Sequence, residues 1–176
     1  TKQGYPTLFL KSTLLMPLPN KLQGLSLPVV ASPMFIISGP EMVIAQCKSG
    51  IVGSFPSLNA KPQQMLGQWL DQINTELDAH QRKYPTATIA PYAVNLIVHN
   101  SNDRLEADLG TCIKYKVPII ITSLRALDVA MVERIHAYGG IIFHDVINVR
   151  HAQKAAEVGV DGLILVCAGA GGHAGT

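Results

Sequence analysis

The chain is poor in charge, in aromatic rings and in cysteine. Asp, Glu, Lys and Arg make up 15% of its 176 residues and Phe, Trp and Tyr 6%, whereas hydrophobic residues reach 48%. So little charge beside so much apolar content excludes a disordered chain and fits one domain with a sizeable core. The net charge is +2 and the 14 basic residues are scattered, which offers no stripe for a nucleic-acid backbone. The three cysteines (Cys47, Cys112 and Cys167) are odd in number and far apart. They give neither a disulfide framework nor a metal-ligand spacing, and they read as reduced thiols in a cytoplasmic protein with no metal site. No apolar run is long enough to cross a membrane. The opening "TKQGYPTLFLK" lacks the charged-then-apolar order of a signal peptide.

What the sequence does have is six short runs rich in Val and Ile: "LPVVASPM" (27–34), "IVGSF" (51–55), "YAVNLIV" (92–98), "PIIITS" (118–123), "IIFHDV" (141–146) and "GLILVC" (162–167). They are continuous rather than alternating, as expected of strands buried on both faces. Helical patterns lie between them. Met65, Trp69, Ile73 and Leu77 recur at spacing four over 63–82. Leu127, Met131, Ile135 and Tyr138 form a second stripe, stopped by Gly139 and Gly140. Val149, Ala152 and Ala156 are expected to face inward on a third helix that stops at Gly159. Ser38 and Glu41 have the spacing of a capping box ahead of "MVIAQCKSG".

Strands alternating with helices predict an α/β fold with a parallel sheet. Two architectures fit: a doubly wound open sheet or a (β/α)8 TIM barrel. A doubly wound nucleotide binder usually carries a glycine-rich phosphate turn after its first strand, but here Gly39 stands alone in "SPMFIISGP". The polar residues sit instead at the carboxyl ends of many runs, at Ser32, Ser54, Asn95, Thr122, Ser123, His144, Asp145 and Cys167. A barrel assembles its active site from such ends. Six βα units are about three quarters of a barrel, so the chain reads as the first part of one, with strands seven and eight expected beyond it. A six-stranded open α/β protein is the alternative.

The last ten residues, "CAGAGGHAGT", put one histidine, His173, into a loop almost free of side chains. Consecutive glycines let a flat ligand approach the backbone, and a histidine over a barrel mouth has a pKa suited to a general base. The other reading is a flexible linker with a surface histidine. Met34 is open to two readings, ligand contact or core packing. Asn95 needs hydrogen-bond partners in an otherwise apolar strand, from a ligand or from the protein itself. Thr122 and Ser123 could equally serve a ligand or cap a helix. His80, His99, His136 and His151 fall in loop or helix contexts and read as solvated.

"AGAGGHAGT", together with "LPVVASPM" and "HDVINVRHAQKAAEVGVDGLILVC", resembles the nitronate monooxygenase family, formerly the 2-nitropropane dioxygenases, over about residues 24–176. The resemblance implies a single FMN-binding barrel domain over 1–176 that oxidises alkyl nitronates or nitroalkanes with O2 to a carbonyl compound and nitrite. It implies His173 as the base and, as cofactor contacts, Pro33, Met34, Gly171 and Gly172 through their backbone together with Asn95, Thr122 and Asp145. Partners would be the small-molecule substrate and O2, with no nucleic acid or membrane, and a homodimer is a further expectation. The sequence departs from many relatives at Asp145, where they show a lysine near the flavin; a protonated His144 would compensate for the missing cation. Phosphate-binding residues are expected in the loops after strands seven and eight. Flavin barrels that share the Gly-Gly-His loop also include FMN-dependent, NAD(P)H-using enoyl-thioester and quinone reductases, which is the competing function. A barrel that binds no flavin is a third.

Overall fold

Five of the six apolar runs form strands in a computed structural model of the protein, which describes residues 18–125 and 127–172. They are β1 (Gly53–Pro56), β2 (Tyr92–Val98), β3 (Ile119–Leu124), β4 (Ile141–Val146) and β5 (Gly162–Leu165). The helices are α1 (Pro40–Lys48), α2 (Met65–Lys83), α3 (Leu105–Lys114), α4 (Val129–His136) and α5 (Val149–Glu157). All neighbouring strands pair in parallel, in the order β1-β2-β3-β4-β5. A doubly wound sheet must reverse its strand order somewhere, and this one does not within the described residues. Right-handed crossovers between consecutive neighbours carry every helix to the same side of the sheet, which is barrel topology.

The two core clusters show this sidedness. Phe55, Val94, Leu96, Ile120 and Ile142 pack with the buried faces of α1 to α4. The opposite strand face holds Val52, Ala93, Ile119, Ile121 and Phe143, packed not by a helix but by Leu22 and Leu25 around a short 3-10 turn at Asn20–Leu22. That turn closes the amino end of what is the inner face of the barrel. Gly53 lets α1 pack close to the sheet: a Cβ there would lie 2.6 Å from the Val43 carbonyl oxygen.

Several sequence expectations change. The first run, Leu27–Met34, is no sixth strand but a single parallel bridge from Val30 to Val52. It borders β1 on one side only, and Leu27, Val29 and Val30 are exposed. β5 alternates rather than being buried on both faces, because no described helix covers Leu163 and Leu165. On α2 the buried stripe is Leu66, Leu70, Ile73 and Leu77, with Met65 and Trp69 at its margin. On α5 the buried residue is Ala155; Val149 is 73% exposed. Leu127, Met131 and Ile135 are buried as expected, and Gly139 follows α4 in a left-handed conformation. The capping box does not form: Gly39 is the N-cap of α1 and makes no side-chain cap bond.

α3 was not singled out in the sequence, since Asp108 and Gly110 interrupt its apolar pattern. Asp108 is nonetheless fully buried. Its Oδ1 accepts from Arg104 Nη2 at 3.1 Å and from Gln63 Nε2 at 3.2 Å. The same guanidinium donates to the carbonyls of Ala60, at 2.9 Å, and Ser57, at 3.3 Å. One ion pair thus ties the start of α3 to the β1–α2 connection. Removing the carboxylate leaves a largely buried guanidinium without its counter-charge, a loss worth about 3 kcal/mol. Asp108→Ala is therefore expected to lower the stability of the full-length protein by about that amount. Urea unfolding followed by circular dichroism checks it.

Candidate functional site

Strand register sorts the polar strand ends onto two faces. Asn95 is opposite Ile121, and Leu96 opposite Thr122 and, in turn, His144. Asn95, Ser123 and Asp145 therefore share the inner face with Ile121 and Phe143. Thr122 and His144 share the helix side with Leu96.

On the inner face Asn95 Nδ2 donates to Ser123 Oγ at 2.8 Å and to the Ile121 carbonyl at 3.3 Å. This orients the amide so that nothing among the described residues donates to its Oδ1, while the Ser123 hydroxyl keeps its own proton to give. The result is an acceptor and a donor side by side at the carboxyl end of the sheet. Asp145 is beside them, its Oδ1 accepting from the Leu124 N–H at 3.3 Å. Leu124 has φ +83° and is exposed, a strained end to β3.

Thr122, a predicted cofactor contact, turns its side chain away from this cluster. Its hydroxyl donates to the Phe143 carbonyl at 3.2 Å and lies 2.9 Å from His144 Nδ1. Burial holds the His144 pKa below its ordinary value, against the opposing pull of Asp145. His144 is therefore neutral and faces the helices, and does not supply the cation that Asp145 lacks on the inner face. Continuous apolar runs carry no parity, which is why the sequence did not separate Thr122 from Ser123.

The segment after the first run is a rigid loop at the same end of the sheet. Asn59 Oδ1 accepts from the Ile36 N–H at 3.0 Å, and its Nδ2 donates to the carbonyls of Met34, at 3.0 Å, and Ser38, at 2.9 Å. Ser38 does not cap α1; its Oγ accepts from the Met34 N–H at 3.0 Å. Both backbone polar groups of Met34 are thus used inside the loop rather than left for the backbone contact to a cofactor expected of them. Met34, Phe35, Ile36 and Ile37 are all exposed, and Ile36 has φ +70°, a strained conformation for a β-branched residue. Asn59 was missed in the sequence because its three partners are 21 to 25 residues away. Pro33 sits at the start of this loop.

Gly171 and Gly172 lie in the exposed turn beyond β5, and Gly172 has φ +72°, a left-handed backbone that favours glycine. A Cβ at either would meet open space, so a flat group could approach the backbone there. His173 lies outside the described residues. Cysteine chemistry is disfavoured at two positions: burial pushes the Cys47 thiol up to about 11 and raises Cys112 as well. No helix of the described residues is long and apolar enough to cross a membrane.

No protein-family model matches the chain. A curated relative from Rhodococcus jostii (strain RHA1), (3aS,4S,5R,7aS)-5-hydroxy-7a-methyl-1-oxo-octahydro-1H-indene-4-carboxyl-CoA dehydrogenase, is 27% identical over 156 residues, covering 89% of this chain and 40% of the relative. Among solved structures, nitroalkane oxidase from Streptomyces ansochromogenes superposes with a TM-score of 0.73 at 18% identity, covering 86% of this chain and 49% of the other. FabK from Thermotoga maritima superposes with a TM-score of 0.68 at 19% identity, covering 82% and 42%. The chain spans less than half the length of each of these proteins. The likenesses establish the fold, an α/β parallel sheet of TIM-barrel type of which this chain holds about five strands.

Two outcomes follow from the geometry. Asn59→Ala removes three hydrogen bonds from the 34–38 loop, so the Ile36 amide is expected to exchange with solvent at least tenfold faster, for a loss of about 1.4 kcal/mol or more. Hydrogen-exchange mass spectrometry of that peptide reads this. For His144, a folded-state pKa below the unfolded value near 6.5 means that its neutral form is favoured by folding. The associated stability is full above about pH 6.5 and is lost as pH falls through the folded pKa. Melting temperatures between pH 7.5 and 5 are expected to fall less steeply for His144→Asn than for the unsubstituted protein.

Proposed function

We propose that the protein is an FMN-dependent oxidoreductase that oxidises alkyl nitronates or nitroalkanes with O2, releasing a carbonyl compound and nitrite. The observation that carries this reading is the hydrogen bond from Asn95 Nδ2 to Ser123 Oγ, which sets the Asn95 Oδ1 acceptor beside the Ser123 hydroxyl proton at the carboxyl end of the inner face. The pyrimidine edge of a flavin alternates N–H donors and carbonyl acceptors, and this acceptor–donor pair complements it. The two residues would hold that edge, with the side chains of the Met34–Ile37 loop as an apolar wall and Gly171 and Gly172 leaving room for the ring. FMN, when bound, would supply the electron acceptor. His173 would take the carbon-bound proton of a neutral nitroalkane, a step to which a positioned base contributes about 10²- to 10⁴-fold. A preformed nitronate has already lost that proton and needs only binding. The carboxylate of Asp145 disfavours an anion beside it, so tight nitronate binding depends on other groups. The likeness in fold to a nitroalkane oxidase supports this reading.

A second reading has its own support. The curated relative is named as a dehydrogenase of a carboxyl-CoA thioester, which favours an FMN-dependent, NAD(P)H-using reductase of thioesters or quinones on the same scaffold.

Two assays of the full-length protein separate the readings. Nitrite release from propionate 3-nitronate without reduced nucleotide is expected for the first, and rapid anaerobic bleaching of the flavin by NADH or NADPH for the second. His173→Asn is expected to lower nitroalkane turnover at least a hundredfold while retaining most turnover of the nitronate. Equal loss on both substrates would remove His173 from the proton step.

A further inference from the structure

The helix side of the sheet carries a second concavity, unrelated to the polar pair of the inner face. It is a cleft of about 550 Å3 at the carboxyl ends of β2, β3 and β4, reaching to α5. Its polar wall consists of His99, Asn100, Arg125, His144, His151 and Lys154. That volume lies within the range of about 300–1,000 Å3 usual for small-molecule sites.

The charge of this wall is one-sided. No Asp or Glu is among the described residues that line the cleft. Among the described residues neither Arg125 nor Lys154 enters an ion pair. The carboxylate that acts on His144 belongs to Asp145, which register places on the other face with one oxygen held by Leu124. Arg125 and Lys154 put two permanent cations on one wall, and their like charge is relieved when an anion joins them. A charged patch that merely kept the protein soluble would stand on convex surface; this one lines a hollow.

The donors are also pre-set. Arg125 Nη1 donates to the Asn100 side-chain carbonyl, and its backbone N–H donates to the Val98 carbonyl at 3.2 Å. The guanidinium is thereby oriented with its remaining N–H groups unassigned. His99 is anchored through Nδ1 to the Ser101 hydroxyl at 2.8 Å. The Thr122 hydroxyl, 2.9 Å from Nδ1, holds the His144 ring in place. An arginine fork and a lysine point charge lining one cleft are the donor set that recognises phosphate oxygens.

We propose that this helix-side cleft binds a phosphate-bearing small molecule. The proposal stands apart from the flavin reading, since none of these six residues takes part in the pairing of Asn95 with Ser123 or is invoked in that chemistry. A free phosphate compound and the phosphate end of a nucleotide share the chemistry, and two probes separate them.

The full-length protein, as purified, is titrated with inorganic pyrophosphate and with ADP by isothermal calorimetry at low ionic strength. Saturable one-site binding is expected, weakened about tenfold by Arg125→Ala and again by Lys154→Ala, and weakened by added KCl. Both substituted positions are exposed, and circular dichroism verifies the fold of each variant. Lys83→Ala, at the far end of α2, is expected to change nothing. Equal affinity for the two probes would identify the phosphates alone as the recognised group, and tighter ADP binding a nucleotide-bearing ligand. In parallel, the ring resonances of His99 and His151 in histidine-labelled protein are expected to shift with the same affinity. The proposal is overturned if neither probe binds saturably. It is equally overturned if binding survives the double substitution unchanged, which would place the anion elsewhere, the inner-face site included.

Discussion

The buried pair of Arg104 and Asp108 is the constraint on which the candidate site rests. The carboxylate orients the guanidinium, and the guanidinium grips the carbonyls of Ser57 and Ala60. Between those two carbonyls lies Asn59, which in turn holds the backbone of Met34, Ile36 and Ser38. A charge pair on α3 is thus linked through one turn to a loop more than sixty residues earlier in the chain. Backbone strain at Ile36 persists only where the surroundings over-determine it, and this chain of contacts is what does so. Buried ion pairs often contribute little net stability; here the pair's value lies in geometry, because the guanidinium reaches the main-chain carbonyls of Ser57 and Ala60.

The strand order does comparable work at the level of the fold. Each βα unit packs against its neighbours in sequence, the helices collect on one side, and the inner face is left to strand residues and the Leu22–Leu25 segment. Polar groups at the carboxyl ends then converge without any long-range pairing having to bring them there. Asn95 and Ser123 meet because their strands are adjacent, and Asp145 joins them from the next strand along.

Much of this was legible in the sequence. Val- and Ile-rich runs marked β2, β3, β4 and β5, and their spacing marked a parallel α/β fold, because a strand buried on both faces needs apolar residues without alternation. The same continuity concealed which side chain faced inward, so Thr122 and Ser123 could not be told apart. The Leu27–Met34 run had the right composition for a strand, but composition does not register how many neighbours a run has. α3 was hidden by a buried aspartate, whose burial makes sense only once Arg104 is placed beside it. Ser38 matched a capping motif by spacing and proved to serve the loop, since a motif fixes which groups are near and not which of two acceptable partners is taken.

At the end of β3, consecutive side chains enter different compartments: Thr122 supports His144 beneath the helices, and Ser123 completes the polar pair with Asn95. A strand has a period of two, so a single residue inserted or deleted upstream within β3 would exchange the compartments at one stroke. Connections between elements can lengthen or shorten over evolutionary time with little penalty, but this strand cannot. Its length is inherited as a unit with both of the surfaces it serves, and divergence in one is expected to proceed by replacement of side chains rather than by any shift of the frame that carries them.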